Sequence, residues 1–160
     1  GVSGSYTIDE VPAGRYVILA AFENDCLVRD PDDIGGTAIQ HVEITAGATT
    51  TAEGFKVTEA LEVFGPGAEG PELVTTATPT LRWKDDSSED AYEVEVLDAY
   101  GEPVWTTTIP GVSGSNEVSV VYAGEALQAG MYYQFRATSL ANDGSPRSRT
   151  EDLKGVFYLE

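Results

Sequence analysis

The chain has one cysteine, Cys26, so no disulfide can close within it. A lone cysteine suits a reducing compartment, and it also suits an exported domain built without bridges. There is one histidine, His41, in an alternating stretch that reads as a strand position rather than a base. With no second histidine, Cys26 has little to activate it and reads as a quiet thiol. Cys and His do not fall at zinc-type spacing. A Gly-x-Ser-x-Gly elbow is missing, and Gly111–Ser115 (GVSGS) reads as a turn. No apolar run approaches the roughly 20 residues of a spanning helix. The opening GVSGSYT has neither a charged nor an apolar leader, so an export signal is expected to be removed or to lie upstream. Asn-x-Ser/Thr acceptors are absent. Basic residues are scarce: 9 against 27 acidic ones, a formal charge of -18. Such a surface repels phosphate backbones and anionic lipid, which excludes nucleic acid as a partner.

What is present favours strands. Apolar residues make up 41% of the 160, enough for a globular core. Tyr, Phe, Val, Thr and Gly are prominent, and long stretches of helix formers are missing. Two segments meet near residue 60, and both are acidic.

In the first, Ser5–Val11 alternates as a strand. Pro12-Ala13-Gly14 turns, and Arg15–Phe22 is apolar enough for a central strand. Glu23–Gly36 reads as a polar loop. Thr37–Thr45 and Thr50–Thr58 read as further strands around an Ala46-Gly47-Ala48 turn.

In the second, strands are expected at Leu61–Phe64, Pro79–Lys84, Tyr92–Val96, Pro103–Ile109, Glu117–Val121, Tyr133–Ser139 and Val156–Leu159. Seven short strands separated by turn signals read as an antiparallel β-sandwich. Gly124–Ala129 could form a single helical turn.

The second segment carries Trp83 in PTLRW after Pro79, then Tyr92-x-Val94-x-Val96, then a turn at Gly101. Leu127 and Tyr133 follow, with Phe135, Ala137 and Ser139 continuing the alternation. In these features residues 61–160 resemble a fibronectin type III domain. The family pattern Leu-x-Pro-x-Thr-x-Tyr is only partly kept, with Ala129 for the Pro and Met131 for the Thr. The resemblance implies an immunoglobulin-like sandwich. In it Tyr133 packs under the crossover between sheets and bonds backbone upstream, with Trp83 and Leu127 as structural partners. Losing that ring contact is expected to cost about 2–4 kcal/mol.

The first segment carries Gly4-Ser5-Tyr6-x-Ile8 and then Val11-Pro12-Ala13-Gly14-x-Tyr16-x-Ile18. These resemble the later part of a carboxypeptidase regulatory-like domain, a transthyretin-type β unit, over residues 1–60. The family's earlier strands are missing. Either the unit is a fragment, or strands from elsewhere complete it.

Three constellations are candidate sites. Asp25, Asp30, Asp32 and Asp33 crowd one loop, and Asp85, Asp86, Glu89 and Asp90 another. Calcium takes six to eight oxygens from such loops, although neither loop has helix-loop-helix spacing. Trp105, Tyr100 and Tyr122 lie on or beside strands and could stack on a sugar. Carboxylate pairs could be drawn anywhere among so many acids, so none is singled out.

Both resemblances imply a noncatalytic module, not an enzyme, within a larger bacterial surface protein or lipoprotein. It would be extracellular, cell-surface or periplasmic, and would serve spacing, adhesion or protein binding. The alternatives are a carbohydrate-binding accessory of a secreted hydrolase and a calcium-stiffened adhesin segment. The expected partner is a protein or polysaccharide at the cell surface, with no cofactor unless calcium.

Overall fold

A computed structural model describes residues 4–18, 26–29, 40–52, 54, 57–87 and 89–160. Among them the chain is all-β and holds no helix. In the first segment β1 (Gly14–Ile18), β2 (Leu27–Arg29), β3 (Gln40–Ile44) and β4 (Val57–Glu59) form two antiparallel ribbons, β1 with β3 and β2 with β4. The rest of the chain builds β5 (Val63–Gly65), β6 (Glu72–Val74), β7 (Thr80–Lys84), β8 (Ala91–Asp98), β9 (Pro103–Pro110), β10 (Glu117–Val121), β11 (Tyr132–Leu140), β12 (Pro146–Arg149) and β13 (Val156–Leu159).

Those strands make two sheets. One runs β10-β7-β5 and the other β6-β13-β11-β8-β9, with β12 also on β11. The pleat explains why they face each other. On β8, Tyr92, Val94 and Val96 are fully buried, and on β11 Tyr133, Phe135, Ala137 and Ser139 are buried at the same two-residue period. From the opposite sheet Leu81, Trp83 and Val118 complete one core. Trp83 meets Tyr92 edge-on at 5.4 Å and Phe135 at 6.3 Å between ring centroids. Each such side chain, fully buried, contributes about 1.5–3 kcal/mol of transfer free energy. Two sheets with this strand order around one core make an immunoglobulin-like β-sandwich.

The last strand position on β11 is split. Thr150 N–H donates to Ala137 C=O, and Phe135 N–H donates to Gly155 C=O. Glu151–Lys154 therefore bulges out opposite Arg136. Gln134 Nε2 holds the bulge through the Asp152 and Lys154 carbonyls, at 2.6 and 2.9 Å. Beyond it β13 lies between β11 and β6, antiparallel to the first and parallel to the second. Gly67 is required beside it: its φ is +83°, and a Cβ there would collide with the Val156 backbone.

Several expectations are corrected. Residues 4–9 form no strand, since the alternating Tyr6 and Ile8 are 50% and 72% exposed. Among the described residues of Thr50–Thr58, Val57 and Thr58 are in a strand, which continues to Glu59, and residues 50–52 and 54 are not; residues 53, 55 and 56 lie outside the described ones. The expected loop Glu23–Gly36 contains β2, and apart from Cys26 its other residues lie outside the described ones, as do residues 19–22 and 37–39 of the two neighbouring expected strands. Within the described residues β1 pairs only with β3, so it is not seen as a central strand. Gly124–Ala129 is an extended crossover without a helical turn. Strands β6 and β12 were not foreseen.

The first segment is tied to the sandwich at one end. Cys26 N–H donates to Glu151 Oε1 at 2.6 Å, and Ser148 Oγ to Glu59 C=O at 2.5 Å; within the segment, Ala60 N–H donates to Cys26 C=O at 2.9 Å.

Candidate functional site

The crossover after β10 is where the most specific polar geometry gathers. It leaves one sheet at Tyr122 and enters the other at Tyr132, and two tyrosines clamp it. The buried Tyr122 hydroxyl donates to Glu125 C=O at 2.7 Å. Tyr133, also buried, accepts at its hydroxyl from Gln128 N–H at 2.8 Å. One phenol thus satisfies a carbonyl and the other an amide that irregular backbone would leave unpaired. Leu127 is buried between these two bonds in sequence. Burial, with Tyr133 and Glu125 nearby, pushes the Tyr122 phenol up, so it stays a neutral donor. The Tyr133 ring stacks on Phe157 at 5.8 Å. Gly124 has no room for a side chain: a Cβ would stand 2.5 Å from Tyr122 Oη and 2.8 Å from Trp105 Cβ.

The three rings considered for a sugar platform do not form one. Trp105 and Tyr122 meet edge-on at 5.1 Å, with Tyr122 in the core and Trp105 half-buried beside it. Tyr100 is 82% exposed at the tip of the β8–β9 hairpin. There Asp98 Oδ1 accepts from the Tyr100 and Glu102 amides. An aromatic pair that alternation did not single out lies on the outer face: Tyr132, 48% exposed, and Tyr158, with centroids 5.0 Å apart. Tyr132 of this pair lines an open cleft of about 350 Å³, together with Leu97, Asp98, Gln134 and Arg136. The pair becomes visible only once the register places Tyr132 opposite Tyr158.

The second acidic loop is knitted into the core. Tyr92 Oη donates to Asp85 Oδ1 at 3.0 Å and accepts from Asp86 N–H at 2.6 Å. Ser139 Oγ donates to Asp86 Oδ2 at 2.7 Å and accepts from Ser148 N–H at 3.0 Å. Burial pushes the Tyr92 phenol far above its ordinary value. Glu89 has its carboxyl raised, first by desolvation and then by the Asp85 and Asp86 charges. Asp25, Asp30, Asp32 and Asp33 all lie outside the described residues. Among the described residues no three His, Cys, Asp or Glu side chains are grouped to hold a metal ion.

His41 is exposed on β3, opposite Val17. Cys26 is exposed with φ 63° and lines a small cleft with Ala60, Glu62, Glu69, Glu151 and Lys154. Ser115, in the GVSGS stretch, bonds the Glu117 backbone in a tight turn. No helix among the described residues is long and apolar enough to cross a membrane.

No curated protein and no solved structure matches the chain. A family model described as the Rha78A-like, N-terminal immunoglobulin domain matches residues 67–154, more than half of the sequence. The matched stretch begins just before β6 and ends just before β13, so it takes in β6 to β12 and the clamped crossover and leaves out β5 and β13. The chain belongs to the family of Rha78A-like N-terminal immunoglobulin domains.

Proposed function

We propose that this chain is a noncatalytic module of a larger exported, surface-associated protein, and that its work is spacing and protein binding. Membership in an immunoglobulin-domain family carries the reading, because such domains serve as scaffolds and contact surfaces rather than as catalysts. An interior filled by Trp83, Tyr92, Phe135 and Phe157 supports it, since a packed sandwich offers function at its faces and rims. The fibronectin type III variety is supported by the Tyr133–Gln128 bond and the buried Leu127. A boundary near residue 60 is supported by a core cluster drawn entirely from Leu61 onward. A regulatory-like identity for residues 1–60 and calcium at Asp25, Asp30, Asp32 and Asp33 rest on sequence pattern alone.

The test is retention of bacterial envelope fractions on the immobilised chain. Capture that protease treatment abolishes and periodate treatment spares is the expected result. Hydrolysis of ester, peptide or glycoside substrates by the pure chain would overturn the reading. The Tyr132–Tyr158 pair, with Tyr132 lining the adjoining cleft, favours a second reading, polysaccharide binding. Under it, capture would be lost after periodate and survive protease.

A further inference from the structure

Strand β9 pairs with β8 along one side, and among the described residues no strand covers its other side. The phase of that ladder follows from one bond. Gly111 N–H donates to Asp90 C=O at 2.8 Å. Hydrogen-bonded pairs alternate in an antiparallel ladder, so Trp105, Thr107 and Ile109 turn their backbone groups toward β8. Thr106 and Thr108 turn their N–H and C=O outward. Pro110 takes the next outward position, where its missing N–H breaks no ladder bond, as befits a rim strand.

Exposed rims are ordinarily blunted by lysine, proline, bulges, inward charges or short length; β9 keeps its two prolines and its bulge at its ends, which leaves Trp105–Ile109 without any of these. Pro103–Pro110 is eight residues long and carries no charge. Its only irregularity is a bulge near its start, opposite Val96 and Leu97. Among the described residues the core is also incompletely covered along this side, where the crossover reaches Trp105 through Gly124. Trp105, Ile109 and Val120 pack against the core while only partly buried. On the outer face Glu95 and Glu93 of β8 stand beside Thr106 and Thr108. From Asp85 to Phe135, the stretch that builds β8, β9 and β10, there are ten acidic residues and no Lys, Arg or His.

We propose that β9 accepts an extended segment of a partner protein as an added strand. This rests on the protein-binding reading above and names the rim and the partner's chemistry. The added strand bonds the outward N–H and C=O groups of Thr106 and Thr108. Its alternate side chains are apolar inward, over Trp105 and Ile109, and Lys or Arg outward. An outward Lys would stand two strand spacings, about 9.6 Å, from Glu93 or Glu95, within reach of its long side chain. A second copy of this chain is a poor occupant, because two acidic rims repel.

The test uses the full chain and a labelled peptide of about 10 residues alternating Val and Lys. Two controls are the same alternation with Glu and a block peptide of identical Val/Lys composition. Binding is read by anisotropy, and amide hydrogen exchange is followed at Thr106 and Thr108. The alternating Val/Lys peptide is expected to bind at least ~10-fold more tightly than either control and to slow exchange at both amides. Thr108→Pro removes only an outward donor, so it should weaken binding ~10-fold or more without lowering the melting temperature. Should that variant fail to fold, Thr108→Lys must weaken the cationic peptide instead, by like-charge repulsion. Equal binding of block and alternating peptides, unchanged exchange at Thr106 and Thr108, or full binding by folded Thr108→Pro would overturn the proposal. So would a dimer of the free chain that Thr108→Pro dissolves. None of these outcomes affects the envelope-capture test, so loss of the rim site and loss of the module reading are separately visible.

Discussion

Tyr133→Phe deletes one atom from the clamped crossover and leaves the ring where it is. The stack on Phe157 survives, so no cavity term enters. What is lost is the acceptor for Gln128 N–H at 2.8 Å. A buried amide without a partner costs about 1–3 kcal/mol. This bond is only part-buried, and water can partly replace the hydroxyl, which sets the expectation near 1–2 kcal/mol. For a chain of this size each kcal/mol lowers the melting temperature by about 2–4 °C. Tyr122→Phe is the internal comparison, because it strands the Glu125 carbonyl rather than an amide. Under-satisfied carbonyls are better tolerated than orphaned amides, so its loss should be the smaller. Tyr133→Ala adds the lost ring packing, about 2–4 kcal/mol more. Thermal unfolding followed by near-ultraviolet circular dichroism ranks the three. If Tyr133→Phe melted with the wild type, or above Tyr122→Phe, the clamp would have no energetic content and the reasoning would fail.

Gly124→Ala should destabilise by about 1–3 kcal/mol, since its methyl must displace Tyr122 or Trp105; denaturant unfolding measures it, and an unchanged midpoint would refute the close approach. The Glu89 carboxyl is raised in the fold by desolvation, so the folded protein binds its proton more readily than the unfolded chain does. Its ionisation opposes folding above the folded value, and the opposition lifts as pH falls toward the unfolded one. Glu89→Gln should therefore melt above the wild type at neutral pH, with the difference closing in acid; a constant difference across pH would contradict the assignment. Ser139→Ala should cost about 1–3 kcal/mol in equilibrium unfolding, because it orphans the buried Ser148 N–H. If Asp25, Asp30, Asp32 and Asp33 bind calcium, millimolar calcium will raise the melting temperature and their quadruple Asn variant will not respond; no rise in the wild type ends that reading.

Where a strand buries one full face, its sequence announced it. Glu117–Val121 and Val156–Leu159 match the expected bounds, and Pro79–Lys84 begins one residue early. Alternation in these strands is imposed by a core, and the core is what the pattern reflects. Glu72–Val74 follows a Gly/Pro-rich stretch, is three residues long and buries only Val74, so it leaves no period to detect. Pro146–Arg149 buries Ser148, a small polar residue that carries no hydropathy signal. The opposite error occurred at Tyr6 and Ile8, where alternation without a facing layer produced no strand. Tyr122 and Trp105 were visible as aromatics, but their facing depended on a crossover that periodicity does not describe. Tyr158 became part of a surface pair only through its register with Tyr132.

The parallel pairing of β6 with β13 has a mechanical consequence. Tension applied at the two ends of residues 61–160 first loads the short β5 on β7, and past it drags β6 toward its N-terminus and β13 toward its C-terminus. Lying side by side in the same direction, they are sheared lengthwise, so their bonds resist together instead of peeling singly. A link loaded in this way holds until it ruptures all at once, which suits a chain strung between two anchored bodies.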